Sequence, residues 1–513
     1  MTGLRTTAAA LALGLVLAGC SSSAGDEEAD DAASSTPTET TETTEPTDPA
    51  PAGTLASYYD QDVAWEPCDA GFECGTVEVP IDYDDPGGES IALAVNRLSA
   101  DGDPIGSLVL NPGGPGVSGV EYATQAVGQF GPDVLESYDL VGFDPRGVGA
   151  SAPVECLDTA GVDALLAVDP DPDSAAEVGE VQDLFGDFAT ACEDDAGELL
   201  PHMSTTTVAR DLDVIRAAVG DEQLHYLGGS YGTFIGAMYA EQFPDRVGRL
   251  VLDGAVDPTL SLEEVNLVQA EGFETALRAY VADCVAQPDC PLGDDLEEGV
   301  VRVQDFLADL DAEPLPTGGD RELTESLGIY GIALPLYAPQ LWTTLDQALA
   351  EAFNGNGATL LALADAYWRR TADGYTENLA QVIYAVNCVD DPTDVTVAEI
   401  ERSIPEFERV SPTFGRTFAW SQLACAQWPV EPAEPMPPID GRGADPILVI
   451  GTTRDPATPY ESAVSLADQL ASGVLLTREG DGHTAYGQGN ACIDATVDAY
   501  LVDGTVPPDD KRC

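Results

Sequence analysis

The residues Gly228-Gly229-Ser230-Tyr231-Gly232 constrain the fold of this chain more than any other segment. They follow an apolar run from Gln223 to Leu227 and precede a predicted helix from Thr233 to Gln242. A serine with a glycine two residues away on each side, between a strand and a helix, is typical of a sharp turn that presents the hydroxyl above a sheet. Side chains at the glycine positions would clash, and the serine must adopt a strained backbone conformation. Ser230 is therefore the candidate nucleophile.

Around this turn, predicted strands alternate with predicted helices. This order predicts an α/β fold with a doubly wound, mostly parallel sheet, whose functional site lies at the C-terminal ends of the strands. Two earlier strands, at 75–80 and 90–95, predict an antiparallel hairpin at one edge of the sheet. The remaining predicted strands are 107–110, 139–143, 223–227, 250–253, 446–451 and 473–477, and the predicted helices are 207–219, 233–242, 460–470 and 491–501.

The alternation stops near residue 260 and returns near residue 438. The region between is mostly helical in pattern, as in the stretches 276–285, 345–353 and 360–368. We interpret residues 260–438 as a helical lid inserted into a single sheet domain. The core of that domain would then be formed by residues 58–259 and 439–513, which fits the pattern better than two separate domains.

The N-terminus has the pattern of a targeting segment. Arg5 precedes an apolar run from Ala8 to Ala18, which is too short to span a bilayer. The run closes with Leu17-Ala18-Gly19-Cys20, which resembles the lipobox of bacterial lipoproteins. Residues 1–19 are therefore predicted to be a lipoprotein signal peptide, with Cys20 carrying lipid at the outer face of the plasma membrane. An ordinary secretory signal with an incidental cysteine is the alternative.

Residues 20–57 form the next segment. They are rich in Ser, Thr, Pro and acidic residues, as in Thr36-Pro37-Thr38-Glu39, and offer little apolar surface to bury. We expect a disordered tether between the lipid and the folded domain.

The charge balance is strongly acidic. The chain has 91 acidic residues against 20 basic ones, and its formal net charge is −71. Such a surface repels nucleic acid and anionic membranes, which disfavours the usual phosphate-binding functions. We interpret the charge as a solubility property, and we expect a monomer with no nucleic-acid partner.

The cysteines agree with export. Ten of the eleven remain when Cys20 is set aside, an even number that suits disulfides in an oxidising compartment. Sequence alone leaves the connectivity open. Without any C-x-x-C pair and with only three histidines, neither a metal nor a cofactor is expected. Pairing neighbours in sequence gives the hypothesis Cys68–Cys74, Cys156–Cys192, Cys284–Cys290, Cys388–Cys425 and Cys492–Cys513.

A serine hydroxyl becomes a useful nucleophile only when a base removes its proton, and the base needs an acid to hold its tautomer. When a nucleophilic serine follows a strand in this way, the acid and then the histidine come later in the chain. His202 precedes Ser230, and His225 lies within the strand before it. His483 follows the last predicted strand. The chain order therefore selects His483 as the base.

Two aspartates at strand ends compete for the role of the acid. Asp455 follows the strand at 446–451 and leaves room for one helix and one strand before His483. Pro456 would stiffen its loop. Asp253 ends the strand after the turn's helix and stays an alternative, although a structural role suits it better. We choose Asp455.

The negative charge that develops on a substrate oxygen needs two preorganised donors. One is predicted to be the backbone N–H of Tyr231, at the start of the helix after the turn. The other should come from the loop Asn111-Pro112-Gly113-Gly114-Pro115-Gly116, because glycine lets the backbone approach closely. An ordinary tight turn is the alternative for this loop.

Taken together, these motifs resemble the actinobacterial tripeptidyl aminopeptidase group, relatives of prolyl aminopeptidases within the α/β-hydrolases. The resemblance covers residues 58–513 and implies an α/β-hydrolase fold. It implies Ser230 as nucleophile, Asp455 as acid and His483 as base, with Gly114 and Tyr231 as oxyanion donors. The motifs are Gly113-Gly114-Pro115-Gly116, Asp144-Pro145-Arg146-Gly147, Gly228-Gly229-Ser230-Tyr231-Gly232, Asp455 and Gly482-His483.

The resemblance implies release of short peptides or residues from free peptide N-termini. Members described as carboxylesterases or proteinases keep an ester substrate open as the alternative. A third hypothesis is a non-catalytic solute-binding lipoprotein.

A peptidase of this kind must hold a charged α-amine with carboxylates near the serine. Candidates are Glu271, Glu274, Asp390 and Asp391. In a chain with so many acidic residues, each of them also fits a solvated surface position.

Overall fold

A ten-stranded sheet organises residues 53–513, which are the residues that this computed structural model describes. The strands of these residues are β1 (Glu66–Pro67), β2 (Glu73–Pro80), β3 (Ser90–Leu98), β4 (Gly106–Asn111), β5 (Tyr138–Phe143), β6 (Leu224–Gly229), β7 (Val247–Asp253), β8 (Leu315–Pro316), β9 (Glu322–Leu323), β10 (Arg370–Thr371), β11 (Gly374–Tyr375), β12 (Ile447–Arg454), β13 (Gly473–Asp481) and β14 (Lys511–Arg512). The pairs β8–β9 and β10–β11 form two separate two-stranded sheets. The order in the large sheet is β1-β2-β3-β5-β4-β6-β7-β12-β13-β14.

The sheet is parallel except at one edge. From β5 through β4, β6, β7, β12 and β13 to β14, every neighbouring pair is parallel. β2 and β3 pair antiparallel and extend the sheet beyond β5. Consecutive residues such as Leu108-Val109-Leu110 in β4 are all buried, as expected for a parallel strand covered on both faces. The predicted mostly parallel sheet with an antiparallel hairpin at its edge is confirmed.

Helices cover both faces of this sheet. Val109 shares one buried cluster with Ile235, whereas its neighbour Leu108 shares another with Val497. Side chains alternate along a strand, so the two clusters lie on opposite faces. The α-helices are α1 (Leu55–Tyr59), α2 (Gly119–Ala126), α3 (Pro132–Ser137), α4 (Thr159–Ala167), α5 (Ala175–Ala196), α6 (Thr205–Ala218), α7 (Tyr231–Gln242), α8 (Leu262–Val285), α9 (Leu296–Ala312), α10 (Glu325–Tyr337), α11 (Trp342–Ala352), α12 (Ala358–Tyr367), α13 (Leu379–Asp390), α14 (Val397–Val410), α15 (Gly415–Trp420), α16 (Tyr460–Gln469) and α17 (Ala491–Asp503).

Between β7 and β12 the chain is mostly helical, from α8 to α15. Leu277 of α8, Ile332 of α10 and Leu349 of α11 belong to a third buried cluster, which also includes Val162 of α4. The mostly helical insertion is therefore present, and its predicted bounds at residues 260 and 438 stay predictions.

The described part of the chain begins inside the segment predicted to be a disordered tether. α1 starts at Leu55, before the predicted end of the tether at residue 57. The Tyr59 hydroxyl donates to Asp213 Oδ2 at 2.7 Å, which attaches this helix to α6. The predicted signal peptide, Cys20 and the rest of the tether lie outside the described residues. Within residues 53–513, no helix combines the length and apolar character needed to cross a membrane.

Within residues 53–513, five disulfides link cysteines that are neighbours in sequence, as the pairing hypothesis has them. Two of them, Cys156–Cys192 and Cys388–Cys425, close the longest loops of the set. Such cross-links stabilise a fold chiefly by restricting the unfolded chain. The other three are Cys68–Cys74, Cys284–Cys290 and Cys492–Cys513.

Arg146, in the Asp144-Pro145-Arg146-Gly147 motif, ties the edge hairpin to α6. Its side chain is fully buried and donates from Nε and Nη2 to the two carboxylate oxygens of Asp211, at 2.7 Å each. Its guanidinium also donates to the backbone oxygens of Pro80 and Ile81, at the end of β2. A buried ion pair is tolerated when its hydrogen bonds are made in this way. The motif therefore has a structural explanation.

Replacing Arg146 with methionine should destabilise the fold strongly. The change leaves the Asp211 carboxylate buried without its guanidinium, so the free energy of unfolding should fall by about 3–5 kcal/mol. Urea unfolding followed by circular dichroism measures the change. Arg278→Met is the control, because Arg278 pairs with Glu297 at the surface, where such a loss costs less than about 1 kcal/mol. Similar losses in the two variants would contradict this account.

Candidate active site

Ser230 occupies a strained turn between β6 and α7. Its φ of 54° and ψ of −127° lie where side-chain-bearing residues are rare. Its N–H donates to the backbone oxygen of Asp253 at 2.9 Å, which ties the turn to the end of β7. A Cβ at Gly228 would lie 2.4 Å from the oxygen of Gly232, and one at Gly232 would lie 2.6 Å from that of Asn111. The glycines are required because backbone fills the space that side chains would need.

Asp455 and His483 form a close pair. His483 Nδ1 lies 2.8 Å and 2.9 Å from the two carboxylate oxygens of Asp455. That carboxylate also accepts the N–H groups of Ala457 and Thr458 within its own loop, and the N–H of Thr484 beyond the histidine. Asp455 is only 2% exposed. The pair therefore has the geometry in which a carboxylate fixes the tautomer of an imidazole.

Two opposing effects set the protonation of His483. Burial favours the neutral imidazole, whereas the charge and hydrogen bond of Asp455 favour the protonated one, and together they raise the pKa of His483 above its usual 6.5. Tyr337 packs edge-on against the ring, with 5.1 Å between the ring centroids, and its backbone oxygen accepts the N–H of His483. A residue of α10 in the lid therefore helps to hold the candidate base.

Asp253, the alternative candidate for the acid, accepts hydrogen bonds from the loop that contains His483, the histidine loop. Its Oδ2 accepts the N–H groups of Ala485 at 3.0 Å and Tyr486 at 2.8 Å, just after His483. Burial raises the pKa of Asp253 to about 6. The imidazole itself pairs with Asp455, so the geometry favours Asp455 as the acid.

Close contacts place the histidine loop against the serine turn. A Cβ at Gly229 would lie 3.8 Å from Thr484 Cγ2, and one at Gly254 would lie 3.2 Å from both His483 Cε1 and Thr458 Oγ1. Gly254 directly follows β7, whose last residue accepts the N–H of Ser230. The structure thus gathers the three candidate triad residues at the C-terminal ends of β6, β12 and β13.

The glycine loop after β4 lies against the same turn. A Cβ at Gly113 would lie 2.6 Å from the oxygen of Gly229 and 2.8 Å from the nitrogen of Tyr231. Tyr231 is the first residue of α7, where a backbone N–H has no acceptor within the helix. Gly114 and Tyr231 both line the cavity described next. This placement suits the predicted oxyanion donors, whose role stays a prediction.

A cavity of about 690 Å³ opens at Ser230. This volume lies within the range of sites that enclose small ligands, roughly 300–1,000 Å³. Much of its wall comes from the lid, and the lining mixes aromatic rings with a few acidic groups. The aromatic residues of the wall are Tyr231, Phe234, Phe273, Tyr330, Tyr337, Tyr367, Trp368, Tyr384, Phe414 and Phe418.

The four acidic residues considered for amine binding separate into two pairs. Asp390 and Asp391 line the cavity. Glu271 is exposed, and Glu274 is buried where it accepts hydrogen bonds from Ser411 Oγ and the N–H of Thr413. Neither glutamate is among the residues that line the cavity. The structure therefore brings only the aspartates to the candidate site.

The sequence argument missed two neighbours of the candidate base. Thr458 Oγ1 lies 3.3 Å from His483 Nδ1, and its position three residues after Asp455 was a signal that could have been used. Tyr337 comes from the lid, and no local pattern links it to the histidine.

A strained serine, a carboxylate-bound histidine and a glycine loop at the ends of parallel strands define a serine hydrolase.

A family model described as "TAP-like protein" matches residues 411–513. Serine protease Hip1 of Mycobacterium tuberculosis is 43% identical over 478 residues, which cover 88% of this chain and 91% of that protein. Carboxylesterase B of the same species is 42% identical over 448 residues, 86% of each chain. Tripeptidyl aminopeptidase of Streptomyces lividans is 36% identical over 470 residues, 88% of this chain and 86% of that protein.

The chain therefore belongs to the tripeptidyl aminopeptidase-like family of α/β-hydrolases. The expected fold and family are confirmed, and the protein is a serine hydrolase. The relatives carry the names of a protease, an esterase and an aminopeptidase, so their names do not decide between amide and ester substrates.

Replacing Asp455 with asparagine tests the acid. We expect kcat to fall by about 10⁴-fold, because the amide no longer holds the required tautomer. The Asp455 charge raises the pKa of His483, and catalysis needs the neutral imidazole. Wild-type kcat/KM should therefore be lost as the pH falls through the pKa of His483, which lies above 6.5. In the variant, the acid limb of the residual activity should move to lower pH, as pH–rate profiles would show.

Asp253→Asn is the matched control, because it makes the same isosteric change at a neighbouring strand end. It retains an acceptor oxygen for the histidine loop, so a much smaller loss of kcat and a smaller displacement of the acid limb are expected. If the Asp253 variant loses more activity than the Asp455 variant, the assignment of the acid is wrong.

Proposed function

We propose that this serine hydrolase is an aminopeptidase that removes short peptides or residues from free peptide N-termini. The observation that carries the proposal is a cavity with Ser230 and two adjacent carboxylates, Asp390 and Asp391, in its lining. A free peptide N-terminus carries an ammonium group, which carboxylates bind through charge-assisted hydrogen bonds. Acidic groups in the lining favour a substrate with a positive charge over a simple acyl ester.

The two aspartates are held in place by helix starts. Asp390 Oδ1 accepts the N–H of Thr205 at 2.7 Å, and its Oδ2 accepts the Thr205 hydroxyl. Asp391 Oδ2 accepts the N–H of Leu262, the first residue of α8. Because each carboxylate oxygen can accept more than one hydrogen bond, these contacts leave capacity for an ammonium group.

The Thr205 hydroxyl also lies 2.7 Å from the hydroxyl of Tyr231, the residue that follows Ser230. One hydrogen-bonded chain therefore runs from Asp390 to the residue that follows Ser230. This chain supports the proposal, because it connects the proposed amine site to the residue whose N–H is predicted to bind the oxyanion.

The proposed reaction follows from these placements. His483 accepts the proton of Ser230 as the serine oxygen attacks the peptide carbonyl, and Asp455 stabilises the imidazolium. The N–H groups of Tyr231 and Gly114 bind the oxyanion. The imidazolium then donates its proton to the leaving amine, which leaves an acyl-enzyme on Ser230. Water attacks this ester by the same path and releases the N-terminal fragment.

Asp390→Asn tests the amine site. Asparagine keeps an acceptor for Thr205 and removes the charge. We expect kcat/KM for a tripeptide p-nitroanilide with a free amine to fall about 10- to 100-fold, the value of one charge-assisted hydrogen bond. Because burial raises the pKa of Asp390 to about 7, wild-type KM for this substrate should rise as the pH falls below that value.

The control variant is Glu271→Gln, which makes the same kind of change at an exposed glutamate away from the cavity lining and should leave kcat/KM unchanged. Hydrolysis of p-nitrophenyl acetate separates recognition from folding, since the ester has no amine and should be cleaved equally by wild type and Asp390→Asn. Equal losses of kcat/KM on both substrates in Asp390→Asn would contradict the amine-site assignment. Faster cleavage of acyl esters or N-acetylated peptides by the wild type would favour the carboxylesterase alternative, which the name of one relative supports.

We also propose that the protein is exported and held at the outer face of the plasma membrane by lipid on Cys20. The lipobox-like sequence supports this proposal, and so do the five disulfides, which are typical of oxidising compartments. In an actinobacterial host, Cys20→Ser should lose labelled palmitate and abolish anchoring, whereas Ser21→Ala should retain both. Wild-type protein that carries no label would contradict the lipid anchor.

A further inference from the structure

Three carboxylates from distant parts of the chain converge at one edge of the cavity. Asp169 and Asp171 lie in the loop between α4 and α5, and Glu325 is the first residue of α10. One oxygen of each lies within 4.8 Å of the other two. Oxygens that share a calcium ion at 2.3–2.6 Å are at most about 5 Å apart. The three groups are therefore close enough to bind one ion together.

Glu325 has an oxygen with no partner. The residue is 9% exposed, and its Oε2 is buried without a hydrogen bond to any of residues 53–513. Folded proteins rarely leave such an atom unsatisfied, because it loses water and gains nothing in exchange. This unpartnered oxygen belongs to a carboxylate that lies beside two others, and it indicates a ligand that the protein itself does not supply.

The net charge around the three carboxylates is negative, as a cation site requires. The Arg416 guanidinium lies 3.3 Å from Asp171 Oδ2, so one positive charge faces the three carboxylates. Asp311 adds a further negative charge nearby. A divalent cation would offset most of the negative charge that remains.

The ligand atoms favour calcium among the divalent ions. All three are carboxylate oxygens, which suit hard cations, whereas zinc sites use histidine and cysteine. Asp169 and Asp171 are partly exposed, so an ion can enter and water can complete the six to eight ligands that calcium takes. Magnesium demands a stricter octahedral geometry at shorter distances.

We propose that Asp169, Asp171 and Glu325 bind one calcium ion that joins the α4–α5 loop to the start of α10. Pro170, between the two aspartates, and Ser326, next to Glu325, both line the cavity. The ion therefore holds one part of the substrate-cavity wall in place while the triad carries the chemistry. An exported protein would meet calcium at the concentrations that such open sites need.

Calorimetric titration of the whole protein with CaCl₂ in 0.15 M NaCl tests the proposal, since salt screens loose association with the acidic surface. We expect one ion per chain with a Kd on the order of 10⁻⁴–10⁻³ M, and a higher thermal midpoint in CaCl₂ than in EDTA. Glu325→Gln should weaken binding by about tenfold or more and lose the calcium-dependent rise. Asp173→Asn, which removes an exposed charge beside the cluster, should keep both.

In EDTA, the direction in which Glu325→Gln changes the thermal midpoint distinguishes a calcium ligand from a carboxylate needed only for packing. Without calcium, Glu325→Gln removes a buried oxygen that has no partner, so its thermal midpoint should equal or exceed that of the wild type. A carboxylate needed only for packing would lower the midpoint in both buffers, and that result would overturn the proposal. The proposal would also be overturned if the wild type shows no saturable calcium binding, or if calcium changes the thermal midpoint equally in the wild type and Glu325→Gln. The three carboxyl groups would then share protons instead of an ion. None of these measurements depends on hydrolysis, so they stand apart from the test of the aminopeptidase.

Discussion

The left-handed backbone of Ser230 is the constraint on which the rest of the structure depends. The turn is possible only because Gly228 and Gly232 leave room for neighbouring backbone and because the Ser230 N–H finds an acceptor at the end of β7. Gly113 then brings the loop after β4 against the same turn. Three parallel strands therefore have to end together, and this common end creates the space in which a base and an oxyanion site can be assembled.

The sequence predicted most of this catalytic end because its signals are local. A serine between glycines, an aspartate after an apolar strand and a histidine after the last strand are each recognisable within a few residues. The roles of Asp253 and Asp455 could not be separated in this way, since both end strands. Both carboxylates accept backbone N–H groups of the histidine loop, and they differ in that Asp455 also meets the imidazole. That difference arises from the packing of loops that are distant in sequence.

The lid was predicted least well, and for a physical reason. Its helices pack partly in a separate buried cluster and partly in the main core cluster, and a helical pattern reports which residues are apolar without reporting which neighbour they meet. Glu271 and Asp390 had equal claims from sequence, yet only Asp390 reaches the cavity. The convergence of Asp169 and Asp171 with Glu325 was likewise hidden, because these residues are brought together by contact between the lid and the core domain.

The position of Asp390 and Asp391 at the starts of α6 and α8 restricts how this protein can evolve. A substitution that discards either carboxylate removes a capping acceptor, which in other helices is worth about 0.5–2 kcal/mol of stability. In the proposed amine site, drift towards uncharged substrates would therefore pass most easily through asparagine, which preserves the acceptor while removing the charge. Descendants with altered specificity should carry asparagine at these two positions more often than alanine or an apolar residue.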